Sequence, residues 1–257
     1  MASLAGKRAL VFGVANERSI AWAIAQGLAR EGATLAFTFL GEALERRVRP
    51  LAAELSAPLV LPCDVTDDAQ IASVFAEIER SWGSLDILVH AIAFANREDL
   101  AQPFHETSRE GFRLALEVSA YSLVALTHAA LPLMKNAGGG SVITLTFAGS
   151  NRVFPNYNVM GVAKAALEAS VRYLASEGGS FGVRVNAISA GPIKTLSAAG
   201  IRNFREMLHV AEERSPLRRN ITAEEVAGAA VLLAGDGGRG ITGQVIYVDA
   251  GLSIMGV

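Results

Sequence analysis

The chain has 257 residues, 51% of them hydrophobic and 19% charged, with a formal net charge of −2. A charged share below the usual ~25% describes a well-buried globular protein, and so small a net charge gives no field that would draw the chain to DNA or RNA. One cysteine, Cys63, excludes an intramolecular disulfide and fits a reducing compartment. With no apolar run of about 20 residues and no leader-like segment after Met1, the expectation is a cytoplasmic protein that neither spans nor binds a membrane.

In chain order, short apolar runs predict strands over 8–12, 34–39, 59–61, 87–90, 141–145, 184–188 and 244–248. Amphipathic stretches lie between them. The first, over 19–30, is closed by Gly32, a residue tolerant of left-handed geometry. Cys63 follows the third strand and reads as a small buried hydrophobe. The strands alternate little, as expected where both faces of a parallel sheet are covered. The predicted fold is α/β: one doubly wound Rossmann-type domain over residues 1–257 with a seven-stranded parallel sheet. Late in the chain the segment 196–214 breaks the βα rhythm after a Gly-Pro turn. It reads as a small helical substrate-binding lid, about 194–214, against the alternative of an ordinary surface helix pair.

The turn after the first strand, Gly13-Val14-Ala15-Asn16-Glu17-Arg18-Ser19-Ile20, has the context of a pyrophosphate site but lacks the G-x-G-x-x-G spacing. Ser19 would either cap the helix or bond a phosphate. Asp64-Val65 follows the third strand, where the carboxylate would meet an adenine amino group, cap the next helix, or both. Small residues after His90 would let the backbone approach a cofactor, with His90 itself a packed strand residue. The four histidines show no metal-ligand spacing, so no metal is expected. After the second strand the first charged residue is Glu42, while Arg46 and Arg47 lie further along a helix, which favours NADH over NADPH.

Tyr157 and Lys164 stand seven apart, two helical turns, which would place a phenol and an ammonium on one helix face. That pair suits proton donation and sugar binding. Most short-chain dehydrogenases place only three residues between such a Tyr and Lys, and here Met160 occupies the position four before Lys164.

The runs Asn156–Ala165 and Val183–Ile193, with the Gly13/Ser19 turn, resemble the bacterial NADH-dependent enoyl-[acyl-carrier-protein] reductases, type I, a divergent branch of the short-chain dehydrogenase/reductases. The likeness extends from Gly6 to Gly256. It implies reduction of the trans-2 double bond of enoyl thioesters in type II fatty acid biosynthesis, by a homotetramer whose partner is acyl carrier protein, with a site for triclosan-like inhibitors. It implies that Gly13, Ser19 and Ile20 hold the pyrophosphate, that Asp64 and Val65 border the adenine, and that Ile92 borders the adenosine half. Lys164 would bond the nicotinamide ribose, and Ile193 and Thr195 would touch the nicotinamide and pyrophosphate. The Tyr157 hydroxyl would face the thioester carbonyl. The substrate side would comprise Phe94, Ala95, Phe147, Tyr157, Leu196, Ile201 and Phe204. Phe147 departs from the pattern: many members carry a tyrosine ten residues before the catalytic one, and Phe cannot donate a hydrogen bond. The rival readings are a ketoacyl or alcohol reductase, which lacks its Tyr-x-x-x-Lys here, and a non-catalytic nucleotide-binding paralogue, against which the intact Tyr157/Lys164 pair argues.

Overall fold

The structure, a computed structural model, describes residues 3–195 and 203–256. Seven strands, β1 (Arg8–Phe12), β2 (Thr34–Phe39), β3 (Leu59–Pro62), β4 (Ile87–His90), β5 (Gly140–Thr146), β6 (Val183–Ala190) and β7 (Val245–Val248), form one sheet. Its order is β3-β2-β1-β4-β5-β6-β7, and every pairing is parallel. The doubly wound architecture expected from the alternation of apolar runs is therefore observed. Strand boundaries move by only one or two residues, most at β6, which runs on to Ala190.

The weak alternation along the strands has a direct cause. In β1, Ala9 and Val11 face one core cluster while Leu10 and Phe12 face another, and all four are buried. The first cluster is closed by α1 (Ile20–Arg30) and α9 (Ala223–Ala234), which lie across each other, and by α2 (Gly41–Glu54). The second is closed by α3 (Asp68–Trp82), α6 (Ser122–Asn136) and α7 (Val159–Gly178). Between α3 and α6 lie the short α4 (Arg97–Ala101) and α5 (Arg109–Leu116); between α7 and α9 lies α8 (Phe204–Arg214).

From Arg109 to Asn136 the chain is one continuous helix, α5 and α6 joined by a single π-helical segment at Glu117–Tyr121. By length and composition alone this helix would qualify as a membrane span. In the fold, Leu123, Leu126, Ala130, Leu133 and Met134 are buried against Leu88 and Val142 of the sheet, which accounts for its apolar character.

The sheet order reverses between β1 and β4, and loops leaving the carboxyl ends of those two strands diverge there to open a crevice. Gly13 ends β1 at that point with φ of +97°, and a Cβ there would stand 2.0 Å from the Ala91 carbonyl oxygen after β4. Glycine is thus required by strand-end packing before any ligand is considered. Replacement of fully buried Leu10 by Ala should lower unfolding stability by about 2–5 kcal/mol through lost packing and a cavity between β1 and the α3/α6 layer. Urea titration of Leu10→Ala beside the parent chain measures this.

Candidate active site

The carboxyl ends of β1, β4, β5 and β6, the start of α7 and one face of α8 surround a cleft of about 890 Å³. Of the residues expected at a site, Gly13, Ser19, Ile20, Ile92, Phe94, Ala95, Phe147, Tyr157, Lys164, Ile193, Thr195 and Phe204 all line it. Asp64 and Val65 do not; they sit beyond β3 at the same carboxyl edge of the sheet, two strands from β1. Leu196 and Ile201 lie outside the described residues.

One side of the cleft is polar. Ser19 occupies the N-cap position of α1 without capping it through its side chain; its Oγ instead donates to the Asn16 carbonyl at 2.5 Å. The first turn of α1 carries no acidic residue. The positive end of the helix therefore faces the cleft, an arrangement suited to an anionic phosphate. Across from it Lys164, 6% exposed, donates from Nζ to the Leu145 carbonyl at 2.8 Å. An ammonium has three donors, so this cation retains capacity for a ligand in the cleft. Burial lowers its pKa to about 8, with Glu168, one turn further along α7, pulling it back up. The Glu168 carboxylate is in turn fixed by Thr146 of β5, whose Oγ1 donates to Oε1 at 2.7 Å. A helix N-terminus for phosphate and a buried ammonium for sugar hydroxyls make a donor set that fits a nicotinamide dinucleotide.

His90 lies beneath this side, fully buried, with Nδ1 2.7 Å from Thr144 Oγ1 and Nε2 2.8 Å from Ser122 Oγ. Burial, then the charge of Lys164, lowers its pKa to about 3. It is a neutral strand residue bridging β5 and α6, as the sequence reading held.

The other side of the cleft is apolar. Leu100, Ala115, Tyr157, Val159 and Met160 are buried together, with Ala95, Phe147 and Phe154 packed against them. The Phe147 ring meets Tyr157 edge-on, centroids 5.0 Å apart at 65°, and Phe154 at 4.7 Å. Phe147 thus forms an aromatic wall behind the phenol where a tyrosine would place a second hydroxyl. Burial, with the Glu168 charge adding to it, pushes the Tyr157 pKa above its ordinary value, so the phenol stays protonated. Phe94 is half exposed, but its backbone is pinned by Ser119 of the π segment: the amide donates to Ser119 Oγ at 2.9 Å.

Three expectations are corrected. Tyr157 and Lys164 share the cleft, but not by helical periodicity: α7 begins at Val159, and Tyr157 sits in the preceding turn. Asp64 does not cap α3; Asp67 does, accepting from the Ala69 and Gln70 amides, while Asp64 Oδ1 accepts from the Thr66 amide and hydroxyl. Ser19 does not cap α1 with its side chain. Cys63 is buried, and burial pushes its thiol up to about 12, which fits the structural role read for it and not a nucleophile.

Several lining or supporting residues escaped the sequence reading. Met160 and Glu168 were within reach of it, since they stand three beyond Tyr157 and four beyond Lys164. Leu100 and Ser119 carry no local signal; their places depend on tertiary packing. Glu42 lies in the first turn of α2 after β2, and Arg46 reaches back to it at 3.3 Å.

The family model described as enoyl-(acyl carrier protein) reductase matches residues 13–253. An enoyl-[acyl-carrier-protein] reductase [NADH] of Nostoc sp. is 55% identical over the full length of both chains. The crystal structure of the Bacillus cereus enoyl-acyl carrier protein reductase with NADP+ and an indole naphthyridinone superposes with a TM-score of 0.97 at 53% identity, covering 100% of each chain. The Anaplasma phagocytophilum reductase in complex with NAD gives 0.95 at 45% identity, over 99% of this chain and 96% of that one. The fold agrees with the structural likeness throughout its length, and the chain belongs to the enoyl-[acyl-carrier-protein] reductase family of NADH-dependent oxidoreductases.

Proposed function

We propose that Tyr157 and Lys164 are the catalytic pair of this reductase, on the observation that both are buried and line one cleft whose two sides differ in polarity. The reaction is NADH-dependent reduction of the trans-2 double bond of enoyl thioesters carried by acyl carrier protein, a step of type II fatty acid biosynthesis. NADH, when bound, supplies the hydride. Its addition at the β-carbon would place negative charge on the thioester carbonyl oxygen, and uptake of one proton, ultimately from water, at the α-carbon would complete the reduction. The protonated Tyr157 hydroxyl, held in a desolvated apolar setting, donates a hydrogen bond to that carbonyl oxygen. Lys164 holds the nicotinamide ribose hydroxyls and contributes a nearby positive charge.

Gly13, Ser19, Ile20, Ile193 and Thr195 serve the pyrophosphate side in this reading, Ile92 the adenosine side, and Asp64 and Val65 the adenine beyond the end of β3. Phe94, Ala95, Phe147 and Phe204, with Leu196 and Ile201, serve the acyl chain. The segment about 194–214 acts as the lid: Phe204 and Met207 of α8 face the cleft, while Lys194 and Arg205 are exposed and, with Arg202 from outside the described residues, offer a basic edge to an acidic carrier. The same cleft would admit triclosan-like inhibitors against the Phe147–Tyr157 wall. The assembly proposed is a homotetramer working in the cytoplasm, with the exposed apolar side chains Tyr247, Ile254 and Met255 around β7 covered by a second subunit.

Tyr157→Phe should lower kcat by about 10²-fold or more, the scale for losing one donor to a developing oxyanion, with the Kd for NADH within about twofold of the parent. Lys164→Met should weaken NADH binding by about tenfold or more, the loss of charge-assisted bonds to the ribose. Fluorescence titration beside steady-state rates separates the two, and the reverse assignment would refute the roles.

Reversing Lys194 and Arg205 to Glu should raise KM for the carrier-bound substrate at low salt and leave KM for the coenzyme A thioester unchanged. Equal changes for both substrates would refute the basic edge. Light scattering should give four times the 27.0 kDa chain mass.

A further inference from the structure

Asn158 stands between Tyr157 and the first residue of α7. Its backbone lies at φ 39° and ψ −120°, in the left-handed half of the map that side-chain-bearing residues avoid. Its side-chain amide faces three carbonyls: Nδ2 is 2.8 Å from Gln102 O, 3.1 Å from Leu100 O and 3.4 Å from Asp99 O. Three acceptors require the NH2 end of the amide to point at them, which fixes its orientation.

The carbonyls belong to the segment that forms part of the cleft wall, where Asn96, Glu98 and Leu100 line the cavity. That segment is fastened at a second point. The Asp99 carboxylate, 2% exposed, accepts from the Ser108 amide at 2.9 Å and from Asn96 Nδ2 and Gln102 Nε2 at 3.2 Å. Gly111 of α5 leaves it room, since a Cβ there would stand 1.7 Å from Asp99 Oδ2. The wall is therefore a self-bonded unit bolted to α5 through Asp99 and to the catalytic turn through Asn158. A strained backbone persists only where its surroundings over-determine it, and here the surroundings are the wall.

We propose that Asn158 is a positioning residue for the reductase reaction: it docks the 96–102 wall onto the turn that carries Tyr157, so that the phenol is aimed into the cleft only while the acyl-facing wall is in place. The proposal rests on the role given to Tyr157. Asn158 touches neither substrate nor cofactor in it and acts through the hydroxyl beside it.

The test is a double-mutant cycle with a short enoyl coenzyme A thioester. Asn158→Asp keeps shape and tolerance of positive φ but removes the donors. Asn158→Gly keeps only the backbone tolerance and serves where the Asp variant fails to fold. Either should lower kcat tenfold or more, with the Kd for NADH by fluorescence within twofold and a cooperative thermal unfolding retained. In a Tyr157→Phe background the same substitution should change kcat less than twofold, because the hydroxyl it aims is gone. An undiminished effect in that background, or parallel losses in NADH affinity and kcat, would mean that Asn158 serves the fold alone and would overturn the proposal. If Tyr157→Phe is impaired and the Asn158 variants are fully active, only this proposal falls. If Tyr157→Phe is itself fully active, both fall.

Discussion

The site is organised around one buried positive charge. Lys164 leaves α7 into a region almost closed to water, where an isolated ammonium is costly, and the surroundings respond to that cost. The end of β5 turns the Leu145 carbonyl to Nζ, and Glu168, fixed by Thr146 from the same strand, stands one turn further along α7. His90 on the neighbouring β4 stays neutral, spending both ring nitrogens on Thr144 and Ser122. Strand register makes this possible: His90 is paired with Thr144, which places the histidine and the two β5 residues that serve Lys164 and Glu168 on adjacent strand ends.

Around Tyr157 the cleft is bordered by an apolar cluster. Phe147, Phe154, Leu100 and Met160 enclose the Tyr157 ring and leave the phenol protonated. The division suits the chemistry, because the cofactor is an anion with sugar hydroxyls and the acyl chain is neither. In the proposed mechanism a phenol at the boundary would meet the carbonyl that joins the two. Phe147 extends the apolar side by one ring, packed edge-on against Tyr157.

Much of this was legible in the sequence because the relevant signals are local. Seven apolar runs bounded by turn residues gave the seven strands, since a parallel strand buried on both faces has no other way to be written. Gly13, Ser19 and Ile193 fall just after strands or at a helix start, and strand ends are where an open α/β sheet places its ligands. The failures share a cause. Helical periodicity placed Tyr157 on α7, whereas Asn158 takes a backbone conformation that propensity does not anticipate and the helix starts after it. The π segment that brings Ser119 to the Phe94 amide has no periodic signature, and Asp67 rather than Asp64 caps α3 because the chain turns once more before the helix begins. For Asn158 and Ser119 a contact distant in sequence accompanies the local geometry; for Asp67 the contacts are local but lie one turn later than the strand end.

The central claim is that a desolvated lysine governs the cleft. Its most direct test is a ¹³C- or ¹⁵N-lysine NMR titration of the protein without cofactor, with Lys164→Met as the assignment control. The account predicts one ammonium titrating near pH 8, absent from the variant and perturbed when NADH is added. A spectrum in which Lys164 titrates above pH 10, as a solvated lysine does, and does not respond to NADH would contradict it.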